Sequence, residues 1–401
     1  MARDIFFDGL GAPLRLDDAE AVQRLLPGIA TGWRYNVRPA DPAMGPFFTI
    51  RLQPGTPTYH CENHVEPAPA RLLDALNAAC DAMAAVAQAV AAEDARLLCL
   101  HAAGVVIAGR LVVFPNVRRA GKSTLSVALA HAGHPVFSDD VLPLVFPALA
   151  PAYGLAMGLA PRLRLPLPDS SGQEFRDWVA ATPGPQNRQY KYLSLPGQPI
   201  HGESLPLGAF VILDRQDMPV PARLDPVPPD AAMDGLLHQN FTRDRHSGDI
   251  LQALADLLAM TPVYRLCYFD LQGAVDCLGC ALANAFPDLP PAPGHIPQFR
   301  PALADAVPAV PRQDDALRQR AHTTARMIGT TLYLADPEGR AIHRMDPLAA
   351  AIWDILENPA AAAEIEEILV EAFPTVDRHQ IAADLRKLLQ ALIGWGLLAA
   401  A

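Results

Sequence analysis

The feature that most constrains this chain is a strand, a loop and a helix in direct succession. Residues 111–115, Leu-Val-Val-Phe-Pro, form a short apolar run suited to a buried strand. Residues 116–124 follow as Asn-Val-Arg-Arg-Ala-Gly-Lys-Ser-Thr, and Leu125, Val127, Ala128 and Leu129 then give an apolar helix. A Gly-Lys-Ser at a helix start, fed by a strand, is the setting in which backbone N–H groups and the helix dipole hold phosphate oxygens. Gly121 then allows close backbone approach, Lys122 reaches the β- and γ-phosphates, and the Ser123 hydroxyl ligates Mg²⁺. Asn116, Arg118, Arg119, Ala120 and Thr124 complete the loop. A loop of this kind usually begins with Gly where this chain has Asn116, a residue that tolerates left-handed dihedrals. Its interior, with Arg118 and Arg119, is bulkier than usual, so it either weakens nucleotide binding or adds phosphate contacts. The reading is a nucleotide site for ATP and Mg²⁺, against the alternative of a plain loop-helix junction.

A second element lies close downstream. Residues 133–140 read Gly-His-Pro-Val-Phe-Ser-Asp-Asp, an apolar strand ending in Asp139 and Asp140. Paired carboxylates at a strand end beside a phosphate loop serve two needs: one ligates the metal, and the other takes the proton of an attacking hydroxyl. Asp139 and Asp140 are the candidates for these two roles, and which takes which stays open on the residues alone. An Asp pair that caps a turn is the structural alternative.

Charge narrows the partners. The 401 residues carry a formal net charge of -11, with no Lys/Arg run beyond short pairs, which argues against nucleic acid. The N-terminus lacks the basic and apolar segments of a signal peptide. The Ala-rich stretch 70–92 is interrupted by Arg71, Asp74, Asn77, Asp81 and Gln88 and reads as an amphipathic helix, not a membrane span. A cytoplasmic location is the expectation. The six cysteines read as reduced thiols; Cys277 and Cys280 have no second pair with which to build a zinc site. His60, Cys61 and His64 cluster locally without forming a ligand set.

The run 100–107 (Leu-His-Ala-Ala-Gly-Val-Val-Ile), the loop with Gly121, Lys122, Ser123 and Thr124, and the segment 133–140 together resemble the HPr serine kinase superfamily. They are more closely similar to its relatives found with peptide natural-product clusters, such as lasso-peptide kinases. Pro161-Arg162-Leu163-Arg164, Lys191-Tyr192-Leu193, 206–215 and 262–266 extend the resemblance over about residues 1–285. It implies an α/β P-loop kinase core of the HPr kinase type, with phosphoryl transfer to a side-chain hydroxyl. It further implies that Asp139 and Asp140 divide the base and metal roles, with Asp139 taken as base and Asp140, with Ser123, on the metal, or the reverse. It places His101 near the transferred phosphate and Arg162, Arg164 and Lys191 as positive charge toward phosphate or acceptor. Homo-oligomer formation is compatible with it.

The remainder divides by pattern. Residues 1–95 read as an α+β N-terminal region of the kinase, 96–286 as the P-loop catalytic domain, 287–313 as a Pro-rich extended linker, and 314–401 as a separate domain. In the last block, 327–334 reads as a strand, 336–339 as a turn, 341–345 as a second strand, and three helices follow. Thr331-Leu-Tyr-Leu334, the run 345–353 and Gly394-Trp-Gly-Leu-Leu398 resemble PqqD, a winged-helix domain that recognises leader peptides. That resemblance implies a peptide added to the sheet edge near 341–345 and lying against the third helix, with Arg386, Leu389 and Gln390 in the groove. The function expected is an ATP-dependent kinase of a Ser or Thr hydroxyl on a ribosomal precursor peptide. The alternatives are a catalytically weakened, nucleotide-binding module that delivers peptide, and a kinase of a small-molecule hydroxyl.

Overall fold

A computed structural model describes residues 2–66, 68–115, 120–147, 151–242, 244–286, 298–303 and 315–401. The chain divides into two compact units, 1–227 with 234–242 and 260–297, and 228–233 with 243–259 and 298–401.

Among the described residues, the first unit contains two large sheets and the two-stranded pair of Arg162–Arg164 with Tyr190–Tyr192. In the N-terminal one, Arg3–Phe7 pairs with Leu14–Asp17 and Tyr35–Pro39, and Leu14–Asp17 continues through Phe48–Leu52 and Tyr59–Asn63 to Arg71–Leu73. One face is covered by the helix Ala75–Glu93, which begins where the Asp74 carboxylate accepts the Asn77 N–H at 2.8 Å. This helix is long and apolar enough to cross a membrane, but Leu76, Met83, Val86 and its alanines are buried in the core shared with Ile5, Leu14, Phe48 and Ile50.

The second sheet carries the loop singled out above. Arg110–Phe114 lies parallel to Ser204–Arg215, which lies parallel to Val263–Tyr268. Ala103–Ile107 and Val136–Ser138 continue the sheet antiparallel beyond Arg110–Phe114. Leu111, Val112, Val113 and Phe114 are all buried, as expected of a strand covered on both faces. The helices Lys122–His131 and Leu271–Leu282 pack on the sheet with Leu125, Val127 and Leu129 inward. The strand and the helix read from the sequence are therefore present; residues 116–119 (Asn116, Val117, Arg118 and Arg119) of the loop between them lie outside the described residues.

In the second unit, Thr324–Ile328, Thr331–Ala335 and Ile342–Met345 form an antiparallel sheet, and Leu317–Gln319 pairs with Leu398–Ala400. Pro347–Ile355, Ala362–Ala372 and Arg378–Gly394 are the three expected helices, the first capped by Asp346 with Pro at its start. Two expectations change here. The run 327–334 is a hairpin and not one strand: Gly329 has φ +58°, and a Cβ there would meet Asp230 Oδ1 at 2.8 Å. Residues 298–303, expected to be extended linker, are instead fastened to residues 244–249. Phe299 is buried, the Arg300 guanidinium pairs with Asp249 at 2.6 Å, and the Ala302 N–H donates to Asp244 O. Residues 247–259 of the helix Ser247–Met260 accordingly group with the C-terminal residues and not with the block 96–286. The rest of the expected linker lies outside the described residues.

One charge pair fixes the first strand of the N-terminal sheet. Asp4 is fully buried, and Arg15 grips both of its oxygens at 2.8 and 2.9 Å. Removing one partner of such a pair strands a buried charge, which costs about 3 kcal/mol or more. Arg15→Met should therefore lower the urea unfolding midpoint clearly, and adding Asp4→Asn should restore part of the loss. An Arg15→Met protein as stable as the parent would rule this out.

Candidate functional site

The site forms where the helix Lys122–His131 starts. Gly121 precedes it in a left-handed conformation, φ +92°, and no side chain caps the helix. Lys122 is buried, and Ala120, Ser123 and Thr124 are half-buried around it. The Ser123 hydroxyl donates to Asp139 Oδ1 at 2.8 Å. The other Asp139 oxygen accepts the backbone N–H of Arg162 at 3.0 Å, while the Arg162 guanidinium donates to Asp140 Oδ2 at 2.6 Å.

A local backbone device makes this possible. Adjacent residues of a strand point to opposite faces. Asp140, just past the strand Val136–Ser138, turns left-handed with φ +67°, which ends the alternation. Both carboxylates can then reach one arginine, one through its amide and the other through its side chain.

The electrostatics follow. Burial raises the Asp139 carboxyl, and the neighbouring Asp140 charge adds to this. The Arg162 amide, the Ser123 hydroxyl and the Arg162 charge pull the other way and leave it at about 6. Burial works against the Arg162 charge, but Asp140, Tyr192 and Cys80 together outweigh it and hold the guanidinium firmly protonated. Tyr192, whose hydroxyl donates to the Cys80 thiol at 3.2 Å, lies opposite Arg162 on the paired strand.

Three positions that the sequence grouped together separate here. Arg162–Arg164 pairs with Tyr190–Tyr192, setting Arg162 opposite Tyr192, Leu163 opposite Lys191 and Arg164 opposite Tyr190. Strand alternation puts Arg162 and Arg164 on one face and Lys191 on the other. Lys191 is buried and donates to Val179 O at 2.8 Å and Ala180 O at 2.9 Å, closing the end of the helix Gln173–Ala181. It closes the end of that helix and is not brought together with Arg162 and Arg164. His101 stands in the turn between Leu98–Leu100 and Ala103–Ile107, with its N–H donated to Gln239 O.

Sequence reading missed Tyr190 and Tyr268. The Tyr190 ring packs against the guanidinium groups of both Arg162 and Arg164, at 4.7 and 5.4 Å. Tyr268 ends a parallel strand, and its hydroxyl lies 3.4 Å from where a Cβ on Gly121 would stand. Its position at the carboxyl end of a parallel strand was the available signal, since ligands gather there in α/β sheets.

The cysteine and histidine clusters assemble nothing comparable. No group of three or more His, Cys, Asp or Glu able to hold a metal occurs among the described residues. Cys277 and Cys280 share one helix, and the thiol of Cys61 donates to Tyr59 O while His64 bonds Thr49.

In the second unit, Ile342–Met345 is an edge strand whose recorded partner is Thr331–Ala335. His343 on that edge stacks on Trp395, which caps the third helix, with ring centroids 4.2 Å apart. Arg386 and Gln390 are exposed, but Leu389, expected in the same groove, is not. Leu389 is fully buried in the core and supports that surface from beneath.

Residues 332–398 match the family of Coenzyme PQQ synthesis protein D (PqqD). Among solved structures, the Hpr(Ser) kinase/phosphatase from Coxiella burnetii is weakly similar: 14% identity, covering 46% of this chain and 89% of that one, with a TM-score of 0.22. None of the curated proteins matches the chain.

The Asp139 geometry has a measurable consequence. Its carboxyl ordinarily ionises near 3.8 and is raised to about 6 in the fold. Between those values the unfolded chain has released a proton that the folded one keeps. Stability therefore falls as pH rises through that window and is then level. Asp139→Asn removes this penalty. Its stability advantage over the parent should open between pH 4 and 6 and stay constant above, read from urea melts across pH. An advantage that does not change with pH would contradict the assignment.

Proposed function

We propose that this protein is an ATP-dependent kinase that phosphorylates a Ser or Thr hydroxyl of a precursor peptide held by its PqqD-like domain. The observation that carries the reading is the bond between Ser123, in the first turn of a phosphate-loop-like helix, and Asp139, whose neighbour Asp140 is held by Arg162.

The donor set suits Mg²⁺. The Ser123 and Asp139 oxygens stand 2.8 Å apart. Neighbouring ligands on an octahedral ion that binds at about 2.0–2.1 Å are separated by about 2.9 Å. Such an ion is typically held by one or two carboxylates together with substrate phosphates, so a larger acidic cluster is not required. When bound, Mg²⁺ and ATP supply the phosphoryl group and the charge neutralisation that its transfer needs.

The chain's own groups divide the remaining work. Lys122 and the first-turn amides hold phosphate oxygens. Asp139, buried and bonded to Ser123, belongs with the metal. Asp140 is one-third exposed, with 34% of its side chain accessible, and can be reached by an incoming hydroxyl. It would take the hydroxyl proton as the acceptor oxygen bonds to the γ-phosphorus and ADP leaves with the bridging oxygen. Arg162 orients Asp140 for that step. These bonds favour the reverse of the sequence assignment, which had Asp139 as base and Asp140 on the metal.

A recognition domain on the same chain raises the effective concentration of a weak acceptor site. The PqqD-like segment, with its edge strand Ile342–Met345, suits capture of an extended peptide by backbone pairing.

The test is incubation of the protein with Mg-ATP and the short peptide encoded beside its gene, followed by mass spectrometry. A gain of one phosphate is expected. Lys122→Ala should lose both ATP binding and transfer. Asp140→Asn should keep ATP binding and lose at least about a hundredfold in rate, the usual contribution of a general base. Peptide binding with no phosphate gain would point instead to a delivery module, and unaltered transfer by Lys122→Ala would overturn the site.

A further inference from the structure

Arg164 has no role in the transfer just described, yet it is held beside it. It lies two residues from Arg162 on the same face of one strand. Its guanidinium stacks on the Tyr190 ring that also carries Arg162, and it donates to the Tyr190 hydroxyl at 3.2 Å. Gln189 donates to the same hydroxyl at 3.2 Å. Arg162 spends its charge on Asp140. No carboxylate among the described residues lies within ion-pair distance of Arg164, whose side chain is exposed. A fixed, unneutralised guanidinium thus stands next to the arginine that positions the acceptor-side carboxylate.

Resting on the kinase reading, we infer that Arg164 and Tyr190 form a subsite for an acidic side chain of the acceptor peptide, two residues from the phosphorylated hydroxyl. The spacing comes from strand geometry. Two residues of extended chain advance about 6.7 Å and return the side chain to the same face. An extended acceptor with its hydroxyl at Asp140 and Arg162 therefore presents a side chain two residues away to Arg164. Asp or Glu there forms a charge-assisted pair with a planar donor fork already immobilised by stacking, so little rotamer freedom is lost on binding. A guanidinium also offers a planar fork that can form two parallel bonds with a carboxylate, which a lysine would not provide.

The test uses synthetic peptides with one central Ser, in which Asp, Ala or Lys occupies each position from four before to four after it. Initial rates are measured with Mg-ATP for the parent, Arg164→Gln and Arg164→Glu. For the parent, Asp at one of the two positions two residues from Ser should lower KM about fivefold against Ala with kcat little changed, the size expected of an exposed ion pair. That preference should fade with added salt. Arg164→Gln should abolish it, Arg164→Glu should turn it toward Lys, and both variants should bind Mg-ATP as the parent does. Transfer with no charge preference at either position, or a preference that survives Arg164→Gln, overturns the subsite and leaves the kinase reading standing. Absence of transfer to every peptide, and to the peptide encoded beside the gene, overturns both.

Discussion

The site rests on one arginine serving two adjacent carboxylates. Two like charges this close repel, and burial sharpens the repulsion. Arg162 relieves it with two different groups, its amide toward Asp139 and its guanidinium toward Asp140. The left-handed turn at Asp140 lets both carboxylates face the same partner. Without the turn, strand alternation would send one of them to the opposite side of the sheet.

From that constraint the rest of the site takes its order. Asp139 is drawn toward the helix start by the Ser123 hydroxyl, so the carboxylate pair and the helix Lys122–His131 become one arrangement. The parallel strands Arg110–Phe114, Ser204–Arg215 and Val263–Tyr268 all run toward that side of the sheet, and the Tyr268 hydroxyl comes near Gly121. The strand carrying Arg162 is braced from its other face, where Lys191 closes the helix Gln173–Ala181. One short pair of strands thus holds the face that meets the two carboxylates and a structural face back to back.

The second unit has a different logic. Its three-stranded sheet and three helices share one apolar core, and the hairpin 336–340 is anchored where the Asp336 carboxylate accepts the Arg340 and Ala341 N–H groups. Glu338 is gripped by Arg320, and His246 packs on Gly339. Residues 243–259 and 298–303 belong to this body, so the unit is larger than the segment 332–398 that matches PqqD.

Much of this was legible in the sequence because it depends on neighbours along the chain. The strand before Asn116, the helix from Lys122, the Asp pair ending its strand, and the cap at Asp346-Pro347 are local patterns of period, turn and cap, and local physics decides them. What the sequence could not settle depends on register across strands and on packing. Arg162, Arg164 and Lys191 look alike as cations in a row of residues, but pairing Leu163 with Lys191 turns Lys191 away from the site. Tyr190 matters because it lies opposite Arg164, and Tyr268 because a parallel strand ends beside Gly121. The helix Ser247–Met260 has a plain apolar stripe, and only contact with residues 298–303 and 324–340 determines which unit most of it groups with. Amphipathic pattern says that a face is buried; the partner that buries it is chosen by the three-dimensional fit of segments far apart in the chain.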